Sequence, residues 1–164
     1  MKSFASGGFR LRDAPRRLRL IYAGFLVVTA VGLLTQLGFQ TERIGWTPAA
    51  IATYYRGGET GDTMAFPKPF GHLVEVTHAH AFMMGVVFLV LAHLFAGSPL
   101  LGGAVKGAVI LTAFLGVVGD LAAPWLVRYL AAGFAWLQLA AWLALWLAGL
   151  GMLGVSLWEC LGAR

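Results

Sequence analysis

Residues 20–39 read LIYAGFLVVTAVGLLTQLGF, twenty consecutive positions without a charged side chain. At 1.5 Å per residue, a helix of this length covers about 30 Å, which is the thickness of the hydrocarbon layer of a bilayer. Over the whole chain 59% of the residues are apolar and 12% are charged. This charged share is about half that of a soluble domain. The composition therefore excludes an ordinary soluble fold and predicts an integral membrane protein.

Three further apolar runs cover about 74–96, 107–127 and 129–158. With the first run they predict an all-α fold, a four-helix membrane bundle that forms one domain over residues 1–164. A loop over 40–73 separates the first two spans. In this loop Thr47 and Pro48 have the pattern of a helix start and Gly57 that of a stop, so we expect a short interfacial helix over 48–56.

The positive charges are unevenly distributed, and this asymmetry predicts the orientation. The net charge is +5, and six of the twelve basic residues lie within the first nineteen positions. Segments rich in Lys and Arg beside a membrane span usually stay on the cytoplasmic side. We therefore expect a bacterial inner-membrane protein with both termini in the cytoplasm and loop 40–73 in the periplasm. A basic flank before a membrane span does not indicate nucleic-acid binding, and the single Cys160 excludes an intramolecular disulfide.

All four histidines lie in or beside the second span, at His72, His78, His80 and His93. Ionisable side chains in a membrane helix are costly, and they usually face the bundle interior to bind a ligand or relay protons. On a helix, His78 and His93 are roughly 60° apart in azimuth and roughly 22 Å apart along the axis, so they share a face with Glu75. His80 points to the other side.

The segment from Glu75 to Ala96 resembles the di-haem cytochrome b type of four-helix protein, in which histidines of similar spacing bind stacked haems. The resemblance implies haem b on His78 and His93. The other three spans contain no histidine, however, so the opposite ligand must come from elsewhere. The candidates are Met152 opposite His93, His72 or His80 at the outer site, or the same helix of a second copy.

This resemblance predicts a membrane electron-transfer protein, or a subunit, that passes electrons from quinol to a periplasmic acceptor such as a cytochrome. A first alternative is a non-catalytic subunit of a larger membrane complex, because the chain shows no nucleophile beside a base. The histidines would then serve as hydrogen-bonding contacts between helices.

A second alternative is a site for copper or another metal at the periplasmic face. Its ligands would be Glu75, His78, His80 and Asp120. Imidazole suits such ions. The site requires a late helix start, because in a continuous helix the two imidazoles diverge by roughly 160°. Asp120 has three possible roles: a metal ligand, an acceptor for an imidazole proton, or one half of an ion pair with Arg128.

The order of several segments is similar to that of small four-span proteobacterial membrane proteins. The segments are YYRG at 54–57, FPKPFGHLVEVTHAHAF at 66–82, DLAAPWLVRY at 120–129 and FAW at 134–136. This resemblance implies no particular activity. It implies that the loop, the histidines and the turn after Asp120 belong to one site at the periplasmic face.

Overall fold

The computed structural model describes residues 11–60 and 63–162. This part of the chain forms α-helices and one small hairpin: α1 (Arg16–Phe39), α2 (Pro48–Arg56), β1 (Gly58–Thr60), β2 (Thr63–Ala65), α3 (Phe70–Ala96), α4 (Gly103–Tyr129) and α5 (Ala135–Leu161). One π-helical turn, Gln40–Ile44, extends α1. Lys2, Arg10 and Arg164, which contribute to the predicted cytoplasmic charge, lie outside the described residues.

Four of the described helices, α1, α3, α4 and α5, are long and apolar enough to cross a membrane. The predicted all-α membrane bundle is confirmed. Each of α3, α4 and α5 has 27 residues, or about 40 Å of helix. This length exceeds the hydrocarbon thickness, so the helix ends extend into the headgroup region.

The predicted bounds of the spans need correction. The spans predicted at 20–39, 74–96 and 107–127 belong to helices that begin four residues earlier. Hydropathy marks the hydrocarbon part of a helix, whereas the backbone hydrogen bonds continue into the polar layer. The fourth span, predicted at 129–158, starts at Ala135, because Tyr129 ends α4 and a short 3-10 turn follows. Helix α4 also continues through Pro124.

Helix α2 has the bounds that the loop sequence predicts. The Oγ1 of Thr47 accepts a hydrogen bond from the backbone N–H of Ala50 at 3.1 Å, with Pro48 at the first helical position. Gly57 ends the helix with φ +80 and ψ 174, a conformation that is essentially limited to glycine. A Cβ atom there would also lie 2.7 Å from the carbonyl oxygen of Ala65 in the antiparallel hairpin. Gly57 therefore lets the hairpin fold back against α2.

The closest helix packing joins α4 and α5. A Cβ atom added at Gly116 would lie 3.0 Å from Cγ of Leu145, and one at Gly119 would lie 3.0 Å from Cβ of Ala141. Small residues at such positions let two membrane helices approach closely. Helix α1 is covered least, since Leu26 is its one fully buried side chain in the described chain. The bundle is therefore organised around the α4–α5 pair, with α3 and α1 packed against it.

The loop is tied to one end of the bundle, which we call the loop end. Ile51 and Tyr55 of α2 are buried there in a cluster with Val127 and Trp142. The guanidinium group of Arg56 donates to the carbonyl oxygen of Val127 at 2.9 Å. These contacts hold α2 across the mouth of the bundle. Residues 66–69 are not helical and lead directly into α3, which begins at Phe70.

Candidate functional site

A cavity of about 320 Å³ lies at the loop end, between α2 and the membrane helices. Its walls combine polar and apolar groups. The polar lining includes Tyr54, Tyr55, His72, Thr77, His80 and Asp120. The apolar lining includes Phe39, Leu73, Leu121, Pro124 and Trp142. A concave site with apolar walls and a few convergent polar groups is the usual form of a small-molecule site. We call it the loop-end pocket.

Asp120 is held rigidly at the wall of this pocket. Its Oδ1 accepts two hydrogen bonds, from Nε2 of Gln138 at 2.7 Å and from Nε1 of Trp142 at 2.9 Å. Both donors are buried, with 0% and 3% of their surface exposed. These bonds stabilise the carboxylate and fix its plane.

The second oxygen of this carboxylate faces a histidine. Oδ2 of Asp120 lies 3.7 Å from Nδ1 of His80, an ion-pair distance when the imidazole is protonated. The side chain of His80 is 41% exposed and that of Asp120 is 13% exposed. The imidazole is therefore accessible from the pocket, while the carboxylate behind it is mostly covered.

Tyr55 supplies a neutral hydroxyl group to the same pocket. Burial raises the pKa of its phenol well above the ordinary value, and the charge of Asp120 and the neighbouring Tyr54 raise it further. A phenol in this environment stays protonated and can donate a hydrogen bond to a ligand oxygen. The pocket thus offers a fixed donor on the loop side and an acid–base pair on the membrane side.

The last part of α4, after Asp120, is bonded to α3 and to the segment before α3. Trp125 donates from Nε1 to Oγ1 of Thr77 at 2.8 Å. Arg128 donates from Nε to the carbonyl oxygen of Lys68 at 3.0 Å and lies over the ring of Tyr129. The alternative ion pair between Asp120 and Arg128 does not form. The guanidinium group instead holds the segment before α3 against α4.

The two histidines expected to bind haem lie elsewhere. His78 and His93 are both exposed on α3. Glu75, which precedes His78 on the same helix, is exposed as well. Because α3 is continuous, they share one face and His80 lies on another, as the helical arithmetic predicts. That shared face points away from the bundle core. Met152, the proposed partner of His93, is fully buried in the core.

The structure splits the predicted metal ligands in the same way. His80 and Asp120 line the loop-end pocket, whereas Glu75 and His78 are exposed on α3. Among residues 11–60 and 63–162 no group of three or more His, Cys, Asp or Glu side chains could hold a metal ion. The binding of haem b or of copper by this chain stays a prediction.

Sequence reasoning missed Tyr55 and Trp142, which line the pocket, and Gln138, which donates a hydrogen bond to Asp120 in its wall. A signal for two of them is present in the sequence. Gln138 is a polar residue in a span that contains no charged side chain. Trp142 follows it by four positions, so both lie on one helix face. A mostly covered aspartate on the preceding helix requires donors of this kind.

The site can now be compared with known proteins. A family model described as a transmembrane helical domain matches residues 45–164. The matched region contains α2 to α5 and hence most of the loop-end pocket. Comparisons with curated proteins and with solved structures find no match.

Proposed function

The chain belongs to the Aq_1264_TM family of transmembrane helical domains, and on that premise we propose that it is a quinol-binding subunit of a membrane electron-transfer assembly. The observation that carries the proposal is the His80–Asp120 pair in the wall of the loop-end pocket. Quinols dissolve in the bilayer, and their oxidation requires a group that accepts a proton.

The dimensions and lining of the pocket support this ligand class. Its volume of about 320 Å³ lies at the lower end of the range for small-molecule sites, which suits one substituted ring. Trp142 and Phe39 provide apolar walls for such a ring. The hydroxyl of Tyr55 and the imidazole of His80 supply hydrogen-bonding groups for its oxygens. A membrane ligand of this kind reaches the site laterally, from lipid.

The proton chemistry assigns a role to each side chain. A quinol that becomes a quinone releases two protons and two electrons. The imidazole of His80 accepts the first proton, and the carboxylate of Asp120 stabilises the resulting cation. Gln138 and Trp142 keep that carboxylate directed at His80. The second proton passes to water at the loop end. The electrons pass to a haem or copper centre of a partner subunit or a periplasmic cytochrome, and this transfer makes the chain one part of an assembly.

We expect the purified chain in lipid nanodiscs to bind a short-chain benzoquinol analogue saturably. Quenching of tryptophan fluorescence measures this binding. Substitution of His80→Leu removes one hydrogen bond to the ligand, and we expect the Kd to rise about tenfold. His93→Leu is the matched control, because His93 lies on α3 near the opposite end of the helix and outside the pocket lining. Equal Kd values for His80→Leu and the unmodified chain would contradict the proposal.

Haem b is a second candidate, and the exposed pair His78 and His93 favours it. Since all four histidines lie on α3, a haem with two histidine ligands would bridge α3 of two chains. A reduced-minus-oxidised spectrum of the purified chain, with iron and copper measured on the same sample, tests this candidate and the copper alternative together. A sample without an α-band and without stoichiometric metal would eliminate both.

The orientation is part of the proposal. Both termini lie in the cytoplasm of a bacterial cell and the loop end faces the periplasm, as the basic flank before α1 indicates. Glu59 in the hairpin and Leu100 in the turn between α3 and α4 are exposed. In intact spheroplasts, a membrane-impermeant maleimide should label Glu59→Cys and should not label Leu100→Cys. The reverse pattern would invert the topology.

A further inference from the structure

Helix α3 carries a polar stripe on the side that faces away from the bundle. We call it the outward stripe. It consists of Glu75, His78, Phe82, Gly85, Leu89 and His93. Phe82 and Leu89 are 67% and 62% exposed. A Cβ atom added at Gly85 would meet nothing within 4 Å. The stripe is therefore open along the whole length of the helix.

Two members of the stripe are unsuited to contact with lipid. Glu75 and His78 are five and eight residues from the start of α3, about 7.5 and 12 Å along the axis. This places them in the outer part of a membrane span. The imidazole of His78 contacts the ring of Phe82. Within residues 11–60 and 63–162 neither side chain has a hydrogen bond or an ion pair. Polar groups in a membrane span require a partner.

The stripe is complementary to itself. Glu75 and His78 are three residues apart on one helix face. The carboxylate of Glu75 is an acceptor and the imidazole of His78 a donor, and both lie at nearly the same depth in the membrane. When two α3 helices pack in parallel about a two-fold axis along the membrane normal, Glu75 of each copy meets His78 of the other, so the pair occurs twice by symmetry. Gly85 lies in the middle of the stripe and lets the two helices approach closely.

We propose that a second copy of the chain packs on the outward stripe, with Glu75 of each copy beside His78 of the other. The inference is independent of the loop-end pocket, which lies on another side of α3. A symmetric dimer of this kind satisfies both polar groups of each chain with groups that the sequence already contains. It also joins two loop-end pockets in one assembly.

Disulfide cross-linking in native membranes tests the interface. In a Cys160→Ala background, which removes the single native cysteine, Phe82→Cys and Leu89→Cys place thiols on the stripe. Met83→Cys is the matched control, because it neighbours Phe82 and is equally exposed at 66% but lies roughly 100° around the helix. We expect a covalent dimer at positions 82 and 89 and none at 83.

A second variant tests the charge pairing. We expect Glu75→Leu to weaken dimerisation about eightfold, which is about threefold for each of the two interhelical bonds. The dilution dependence of the disulfide cross-link at Leu89→Cys measures this change. An unchanged cross-link would overturn the pairing of Glu75 with His78.

Three other results would overturn the dimer itself. Equal cross-linking at 82 and 83 would indicate random collision. A covalent product with a different protein would assign the stripe to another subunit. The absence of a cross-link at both stripe positions would overturn the dimer as well, and a haem spectrum in the same sample would then indicate that a cofactor separates the two helices.

Discussion

The substitution Asp120→Leu is expected to lower the free energy of unfolding by about 2–6 kcal/mol, because it leaves two buried donors without an acceptor and each such orphan costs about 1–3 kcal/mol. The donors are Nε2 of Gln138 and Nε1 of Trp142. The amide oxygen of Gln138 already lacks a partner among the described residues, so the loss would leave this side chain wholly unsatisfied. Reversible unfolding in mixed micelles, followed by tryptophan fluorescence, measures the effect.

Asp120→Asn is the matched control, because the asparagine oxygen still accepts both hydrogen bonds. We expect its stability to remain within about 1 kcal/mol of the unmodified chain. The carboxylate that faces His80 is lost, however, so quinol binding should weaken about as much as in His80→Leu. If asparagine destabilised the fold as strongly as leucine, the charge of Asp120 and not its hydrogen bonds would be the stabilising feature.

The second large effect is expected at Gly116, where α4 touches α5. A Cβ atom there would lie 3.0 Å from Cγ and 3.2 Å from the backbone nitrogen of Leu145. The backbone atom cannot move aside without displacing the helix. Gly116→Val should therefore destabilise the bundle by about 3 kcal/mol, the upper end of the usual range for overpacking.

Gly107→Val provides the control on the same helix. A Cβ atom at Gly107 meets nothing within 4 Å, so we expect a change within about 0.5 kcal/mol, measured in the same unfolding assay. Equal destabilisation by both substitutions would indicate that valine disfavours α4 itself. A neutral Gly116→Val would show that α4 and α5 separate easily, contrary to the packing seen here.

Some features of the fold follow directly from the sequence. Apolar runs of about twenty residues or more, with at most one acidic residue each, locate the membrane helices, since few other structures satisfy backbone groups in hydrocarbon. The bounds of α2 follow from Thr47, Pro48 and Gly57, which act through local backbone chemistry. The short hairpin after Gly58 has no comparable signal, because each strand has three residues.

The inward face of α3 could not be predicted in this way. In a soluble helix the apolar face is the buried one, but lipid and bundle core are both apolar. The sequence placed His78 and His93 on one face and His80 on another, which is confirmed, and favoured the pair as the inward face. The structure places His80 in the pocket instead. His80 lies there because its carboxylate partner comes from α4, and sequence spacing does not reveal such a contact between helices.

The hydrogen bonds of Asp120 also bear on how the chain enters the membrane. Both donors belong to α5, which follows α4 after a turn of only a few residues. If α4 and α5 insert as a preformed pair, the carboxylate enters the hydrocarbon already bonded to Gln138 and Trp142. The cost of burying its charge is then offset during biosynthesis by the next helix to leave the ribosome. The single acidic residue of α4 thus becomes a reason for the two helices to insert together.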